Sequence, residues 1–189
     1  MDTLFLLRQL HADIAARVQV IRGDRADWPC GRGCGSCCRH LAGMPRLTAV
    51  EWQPLRDALA GWSPARRLEI RRKTAELARR ESMAPALICP LLEEATDTCP
   101  VYLQRPVACR THGFYVQRDK GLYCRDIESR VAAGGWADVV WGNQEAIDHR
   151  LSRLGESRTL SAWLADWDDS GVRGAENKKG EEHRKNDDA

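Results

Sequence analysis

Two sets of four cysteines constrain this chain more than any other feature of its sequence. They are Cys30, Cys34, Cys37 and Cys38 in the first set, and Cys89, Cys99, Cys109 and Cys124 in the second. A chain of 189 residues can bury a hydrophobic core without covalent cross-links. Its amino-terminal apolar run is short, is interrupted by Arg8 and lacks the basic region that precedes a secretory signal. We therefore predict a cytoplasmic protein, because thiols in that reducing compartment stay free or bind metal.

The spacing of the first set favours metal binding. Thiolates two or three residues apart in a tight loop can converge on one centre, and Gly31, Gly33 and Gly35 let the backbone turn between them. Four cysteines suit either a tetrahedral zinc ion or an iron–sulfur cubane, and we favour a [4Fe–4S] cluster over zinc. The alternative is that the cysteines are buried thiols or disulfides. The pattern predicts that all eight cysteines are metal ligands and that none lies in a helix body.

The rest of the sequence predicts a mainly α fold: a small helical domain wrapped around an irregular, cysteine-rich metal-binding core at residues 28–126, with few or short strands. Apolar residues at helical spacing indicate a helix over residues 3–22. Thr48 and Glu51 form the capping box of a second helix, and Ser63 begins a third that ends near Ser82. Two further helical stretches follow, over residues 147–154 and 160–167.

The segments between the helices predict loops and short strands. Glycine, proline and cysteine dominate residues 24–47, which indicates a loop. Short strands are expected near Val101–Tyr102 and Phe114–Val116. Residues 1–167 form one predicted domain. The charged segment 168–189 has almost no apolar residue with which to offset its ordering entropy, so we predict a disordered tail there.

Three residues near the second set are candidates to support the centre without ligating it. Arg105 and Arg110 could donate to a cluster sulfur or an anion, or could be ordinary structural ion-pair partners. His112 could ligate metal or carry a proton, but a hydrogen-bonding role beside the ligands is favoured. His40 has the same ambiguity.

Other residues with polar or aromatic chemistry have structural explanations. His11 and His149 lie on predicted helices away from the cysteines and are interpreted as surface or core residues. Trp28, just before the first cysteine, is expected to cover the metal loop. Tyr102 and Tyr123 could shield the centre from water, but we favour ordinary core positions for both.

Charge does not indicate a nucleic-acid partner. The net charge is only +2, and the strongest bias is a basic helical face at residues 63–81. That face could dock an acidic partner or RNA, but such faces are more often simply solvated. No apolar stretch is long enough to span a membrane, so a membrane is not expected as a partner. The expected partners are metal ions and a protein or redox partner.

The order of motifs around the cysteines resembles a known family. Cys89-Pro90-Leu91-Leu92, Cys99-Pro100-Val101-Tyr102, Arg105-Pro106 and Cys109-Arg110 follow the first cysteine set in turn. This order is similar to that of the YkgJ-type cysteine-cluster proteins, over about residues 28–126. The resemblance implies a metal-binding domain with eight cysteine ligands, often labelled an Fe–S oxidoreductase. The first gap differs, since three residues separate Cys30 from Cys34 where many members have two.

Three functions are compatible with this pattern. The favoured one is a metal-binding cysteine-cluster protein, with an Fe–S centre used in redox chemistry or electron transfer. The alternative is a structural zinc-binding module for protein interaction or metal handling. The third is an enzyme, an Fe–S oxidoreductase in which His112 or an arginine handles substrate. No phosphate loop, dinucleotide fingerprint or nucleophile–base pair is recognisable in support of the third.

Overall fold

The computed structural model describes residues 2–80 and 87–167 of the chain. Within these residues it contains eight α-helices and four short strands, so the prediction of a mainly α fold is confirmed. The predicted tail 168–189 and the predicted helix end near Ser82 lie outside the described residues.

The first helix, α1, spans Thr3–Arg22 as its apolar periodicity predicts. Asp2 caps it by accepting a hydrogen bond from the Leu4 amide, and Gly23 ends it with a φ of 51°. Its buried face consists of Leu7, Leu10, Ile14 and Ile21.

Helix α3 spans Ala49–Ala60 and begins with the predicted capping box between Thr48 and Glu51. Helix α4 spans Pro64–Arg80, and the Ser63 hydroxyl accepts from the Arg66 amide at its start. The remaining helices are short: α2 at Ser36–Arg39, α5 at Val107–Thr111, α6 at Arg125–Ala132, α7 at Gln144–Ser152 and α8 at Leu160–Asp166, with a 3-10 helix at Tyr102–Gln104.

The strands pair over long sequence distances. Strand β1, Arg46–Thr48, pairs antiparallel with β4, Ser157–Thr159. Strand β2, Tyr115–Val116, pairs in parallel with β3, Gly142–Asn143. Strands β1, β3 and β4 lie in segments for which no strand was predicted.

Two local predictions were wrong. Residues 24–47 are not a continuous loop, because they contain α2 and the start of β1. Tyr102 lies in the 3-10 helix rather than in a strand, whereas the strand expected at residues 114–116 is present as β2. Both errors fall on elements of two to four residues, too short for a periodic apolar pattern.

The buried apolar side chains form two clusters, and the cysteines are distributed between them. The first cluster centres on α1 and includes Cys124, with Cys30 packed against it. The second centres on α3 and α8, with Cys89 and Cys99 packed against it. The fold therefore brings the cysteines to the region where the two hydrophobic clusters meet.

The length and apolar character of the helices show whether any of them could cross a membrane. None of the helices in residues 2–80 and 87–167 combines the length and the apolar character that a bilayer crossing requires.

Candidate metal centre

The first cysteine set lies on a tight turn followed by helix α2. The Cys34 amide donates to the Gly31 carbonyl, and Gly33 adopts a φ of 93°, which a residue with a β-carbon rarely does. Cys37 and Cys38 then occupy α2, and their Sγ atoms are 3.9 Å apart. The expectation that no cysteine lies in a helix body was therefore wrong. The short helix brings the sulfur atoms of these two adjacent residues close together.

Three contacts fasten the second cysteine segment to the first. The Cys89 amide donates to the Cys38 carbonyl at 2.7 Å, and Leu41 and Leu87 form a short antiparallel bridge beside it. Arg39 Nε donates to Asp97 Oδ1 at 2.6 Å. These contacts hold residues 34–41 against residues 87–99, which are far apart in sequence.

Six of the eight cysteines line one cavity of about 50 Å³. They come from both sequence sets: Cys34, Cys37, Cys38, Cys89, Cys99 and Cys109. The other walls are mostly apolar, and Arg105 is the charged side chain among them. No carboxylate or imidazole belongs to this lining within the described residues, so the side chains best suited to bind a soft metal ion are the thiols.

Cys30 and Cys124 lie beside the cavity rather than in its lining. Burial raises the pKa of Cys30 to about 12, and the neighbouring Cys34, Cys37 and Cys124 act in the same direction. Cys124 precedes α6, and burial raises its pKa as well. Electrostatic proximity thus groups Cys30 and Cys124 with Cys34, across the division between the two sequence sets.

The cavity disfavours thiolates that have no counter-charge. The hydrogen bond with Cys38, followed by burial, raises the pKa of Cys37. The hydrogen bond with Cys37 lowers the pKa of Cys38. The hydrogen bond with Cys89 and burial act in the opposite direction and outweigh it, so the pKa of Cys38 is raised to about 12. Burial also raises the pKa of Cys109. A bound cation would have to displace these protons, so metal binding here is coupled to proton release.

All eight cysteines are free thiols, which removes the disulfide alternative from the described structure. Among residues 2–80 and 87–167, however, no three Cys, His, Asp or Glu side chains are already arranged to hold one metal ion. The sulfur donors suit zinc and iron chemically. Their side chains must still turn toward one another for ligation.

Arg105 and Arg110 have different positions. Arg105 lines the cavity and stacks 3.4 Å over the Tyr102 ring. Burial raises the pKa values of Cys99 and Cys109, and the positive charge of Arg105 opposes that rise. Arg110 points instead at the preceding turn, where its side chain donates to the carbonyls of Leu103 and Arg105. The structure therefore places Arg105 beside the thiols, whereas Arg110 stabilises the turn that carries Arg105.

His112 does not line the cavity. Burial lowers its pKa, and its ring stacks on Tyr123 with the centroids 6.4 Å apart. Tyr123 is 46% exposed, so it is neither the core residue that we expected nor a cover over the thiols. His40 is exposed and its Nδ1 lies 2.9 Å from the Ser36 carbonyl oxygen.

Trp28 packs where it was expected, beside the first cysteine loop. It is 7% exposed and stacks on Trp136, with the ring centroids 4.4 Å apart, and on Phe114. Cys30 packs against the same cluster. Within the described part of the chain, the buried indole Nε1 has no hydrogen-bond partner.

Part of the basic face of α4 makes contacts with neighbouring elements of the protein. Arg66 stacks 4.0 Å over Trp62 and pairs with Glu93, and Arg71 donates to the Trp167 carbonyl. These contacts join α4 to its neighbours. They account for part of the positive charge without an external partner.

His11 is closer to the site than its sequence position suggested. Burial lowers its pKa to about 4, and the positive charge of Arg110 acts in the same direction. The folded chain thus keeps His11 neutral down to about pH 4, whereas the unfolded chain takes up this proton near pH 6.5. Between those values the unfolded state binds more protons, so the free energy of unfolding falls as the pH falls.

We expect His11→Gln to flatten this acid dependence between pH 6.5 and 4. The measurement is urea denaturation at both pH values in excess chelator, so that metal loss does not contribute. His149→Gln, at an exposed position in α7, is the control and should keep the wild-type slope. A His11→Gln curve parallel to that of the wild type would contradict the prediction.

These features define a protein with an all-thiol set of potential metal ligands at the junction of two hydrophobic clusters. Residues 29–129 match the model of the CxxCxxCC family, whose description is "Putative zinc- or iron-chelating domain". The match covers more than half of the chain, and the chain belongs to this family. No curated protein and no solved structure matches it.

Sequence reasoning missed Glu51 as a residue of the site's framework. It recognised the capping box, and the structure confirms it, but the second carboxylate oxygen of Glu51 also binds helix α5. An acidic residue in a capping box gives no sign of such a distant partner.

Proposed function

We propose that the cysteines bind an iron–sulfur centre, a [4Fe–4S] cluster, and that this centre serves electron transfer. The observation that carries the proposal is that six free thiols line one cavity whose lining, among the described residues, includes no carboxylate or imidazole. One tetrahedral zinc ion takes four ligands, fewer than the cavity offers. A [4Fe–4S] cluster is likewise held by four cysteine thiolates, and it matches a cavity whose candidate ligands are thiols alone.

The surroundings of the thiols support a negatively charged centre. Leu55, Val101 and Leu160 form apolar walls that exclude water, and Arg105 supplies positive charge. Low exposure and nearby charge are the means by which a protein sets the potential of such a cluster. When bound, the cluster would supply one-electron transfer. The chain's own residues would hold it, shield it and balance its charge.

We propose all eight cysteines as ligands, in two neighbouring groups, and because one cluster takes four thiolates, each group would hold a centre of its own. Cys30, Cys34 and Cys124 form the group on the α1 side, and Cys38, Cys89, Cys99 and Cys109 form the other. Cys37 lies between them, since it interacts with Cys38 on one side and with Cys30 on the other. Free thiols also fit the reducing cytoplasm, where a redox partner would dock.

Anaerobic purification tests this proposal. The expected product is brown, with visible absorbance that bleaches on reduction, and contains iron and acid-labile sulfide in equal amounts. Reconstitution with zinc alone should give lower thermal stability than reconstitution with iron and sulfide. A colourless preparation loaded with zinc and free of sulfide would overturn the iron–sulfur assignment while leaving metal binding intact.

A structural zinc module is the second candidate. It is favoured by the size of the cavity, which is closed by the chain's own thiols and leaves little room for a substrate. This function predicts stoichiometric zinc in elemental analysis and loss of a binding surface after chelation. Retention of the complete fold after removal of all metal would contradict it.

A further inference from the structure

Glu51 connects two parts of the chain that form the cysteine cavity. It lies in the first turn of α3 and its side chain is only 2% exposed. Its Oε2 accepts hydrogen bonds from the Thr48 amide at 2.8 Å and from the Thr48 hydroxyl at 3.0 Å. Its Oε1 accepts from the Val107 amide at 2.8 Å. One buried carboxylate therefore binds the end of β1 and the start of α5 together.

The contact with Val107 compensates for a missing cap. Helix α5 begins after Pro106, whose side chain cannot accept a hydrogen bond, and the structure has no side-chain cap from that residue. The Val107 amide would be a buried donor without a partner if Glu51 were absent. Glu51 supplies the acceptor from a helix 56 residues away in sequence.

Helix α5 carries Cys109, and the turn before it carries Arg105. Both residues line the cavity, as does Leu55, one turn beyond Glu51 in α3. Arg110 holds the same turn from the other side through the Arg105 carbonyl. Glu51 itself does not line the cavity, so its effect on the centre is through the position of α5.

We infer that Glu51 is a positioning residue of the metal centre, which places Cys109 and Arg105 against the thiols of the other segments. The inference rests on the proposed function in one respect, that Cys109 is a ligand. Residues that orient ligands from outside the ligand set typically change metal affinity by about 10–100-fold when they are replaced. We expect a loss of this size in Glu51→Ala and a smaller one in Glu51→Gln, whose amide oxygen keeps one acceptor.

The experiment uses the full chain, with Zn²⁺ affinity measured by competition against a chromophoric chelator and with Co²⁺ as a spectroscopic probe. In Glu51→Ala the thiolate-to-cobalt absorbance at saturation should fall, because Cys109 is displaced. Thr48→Val removes the two hydrogen bonds of the Thr48 hydroxyl, one donated to Glu51 Oε2 and one accepted from the Glu51 amide, but does not alter either partner of the bond between Glu51 and Val107. It should lower the melting temperature and leave the cobalt spectrum unchanged. Asn143→Ala, which removes the cap of α7, is a second control with the same expectation.

A readout without metal separates the two proposals. Alkylation of Cys109 by iodoacetamide, followed by mass spectrometry on chelator-treated protein, should be several-fold faster in Glu51→Gln than in Thr48→Val. Wild-type binding and wild-type alkylation in both Glu51 variants would overturn the inference. A wild-type chain that binds zinc and cobalt but forms no iron–sulfur cluster would overturn the proposed function alone, since zinc affinity, the cobalt spectrum and the alkylation rates still decide the role of Glu51.

Discussion

Replacing Cys109 by serine is expected to remove the metal from the protein. Cys109 lies on α5 and faces a cavity that it shares with five other thiols. A serine hydroxyl is a much weaker donor for soft metal ions than a thiolate. Because residues outside the ligand set already cost about 10–100-fold in affinity when changed, loss of this ligand should cost more than about 100-fold. Elemental analysis after gel filtration measures the loss.

A matched control distinguishes the ligand from the hydroxyl that replaces it. Ala108→Ser introduces the same group one residue earlier on α5, at an exposed position that does not line the cavity. It should retain wild-type metal content and melting temperature. Full metal occupancy in Cys109→Ser, together with unchanged melting, would remove Cys109 from the proposed ligand set.

Stripping the metal from the wild-type protein is expected to lower its melting temperature substantially. A metal at about 1,000 times its dissociation constant stabilises the folded state by about 4 kcal/mol. A chain of this size shifts by about 2–4 °C per kcal/mol, so chelation should lower the melting temperature by about 8–16 °C. Calorimetry before and after anaerobic chelation, with the apoprotein then reconstituted, measures the shift and its reversal.

The two hydrophobic clusters determine what should remain after chelation. Each contains ten or more buried side chains, and among these buried members Cys124 is the one proposed ligand. Helical circular dichroism should therefore persist, while the tryptophan fluorescence changes because Trp28 packs beside Cys30. Identical melting curves for the metal-loaded and stripped proteins would show that the cysteines contribute nothing to the junction of the clusters.

Local features of the sequence predicted much of the fold. The apolar period of residues 3–22 and the glycine after it predicted α1, and Thr48 with Glu51 predicted the start of α3. These signals are readable because capping and helical periodicity involve residues within a few positions of one another. The cysteine spacing and the motifs after it predicted the family for the same reason.

Contacts between distant segments could not be predicted from the sequence. The antiparallel pairing of β1 with β4 joins residues more than 100 positions apart, such as Thr48 and Ser157, and α2 and α5 are too short to show a helical period. The positions of Tyr123 and of His11 also followed from packing rather than from local pattern.

The sequence alone determined that eight thiols are present, that the chain is mainly helical, and which family this order of motifs defines. Only the tertiary structure decided which thiols face one another. It grouped Cys34, Cys37 and Cys38 with Cys89, Cys99 and Cys109 around one cavity, and it set the Glu51 carboxylate against α5. The physical reason is that a side chain's neighbours across a core depend on how whole helices pack, which the spacing of residues along one segment does not specify.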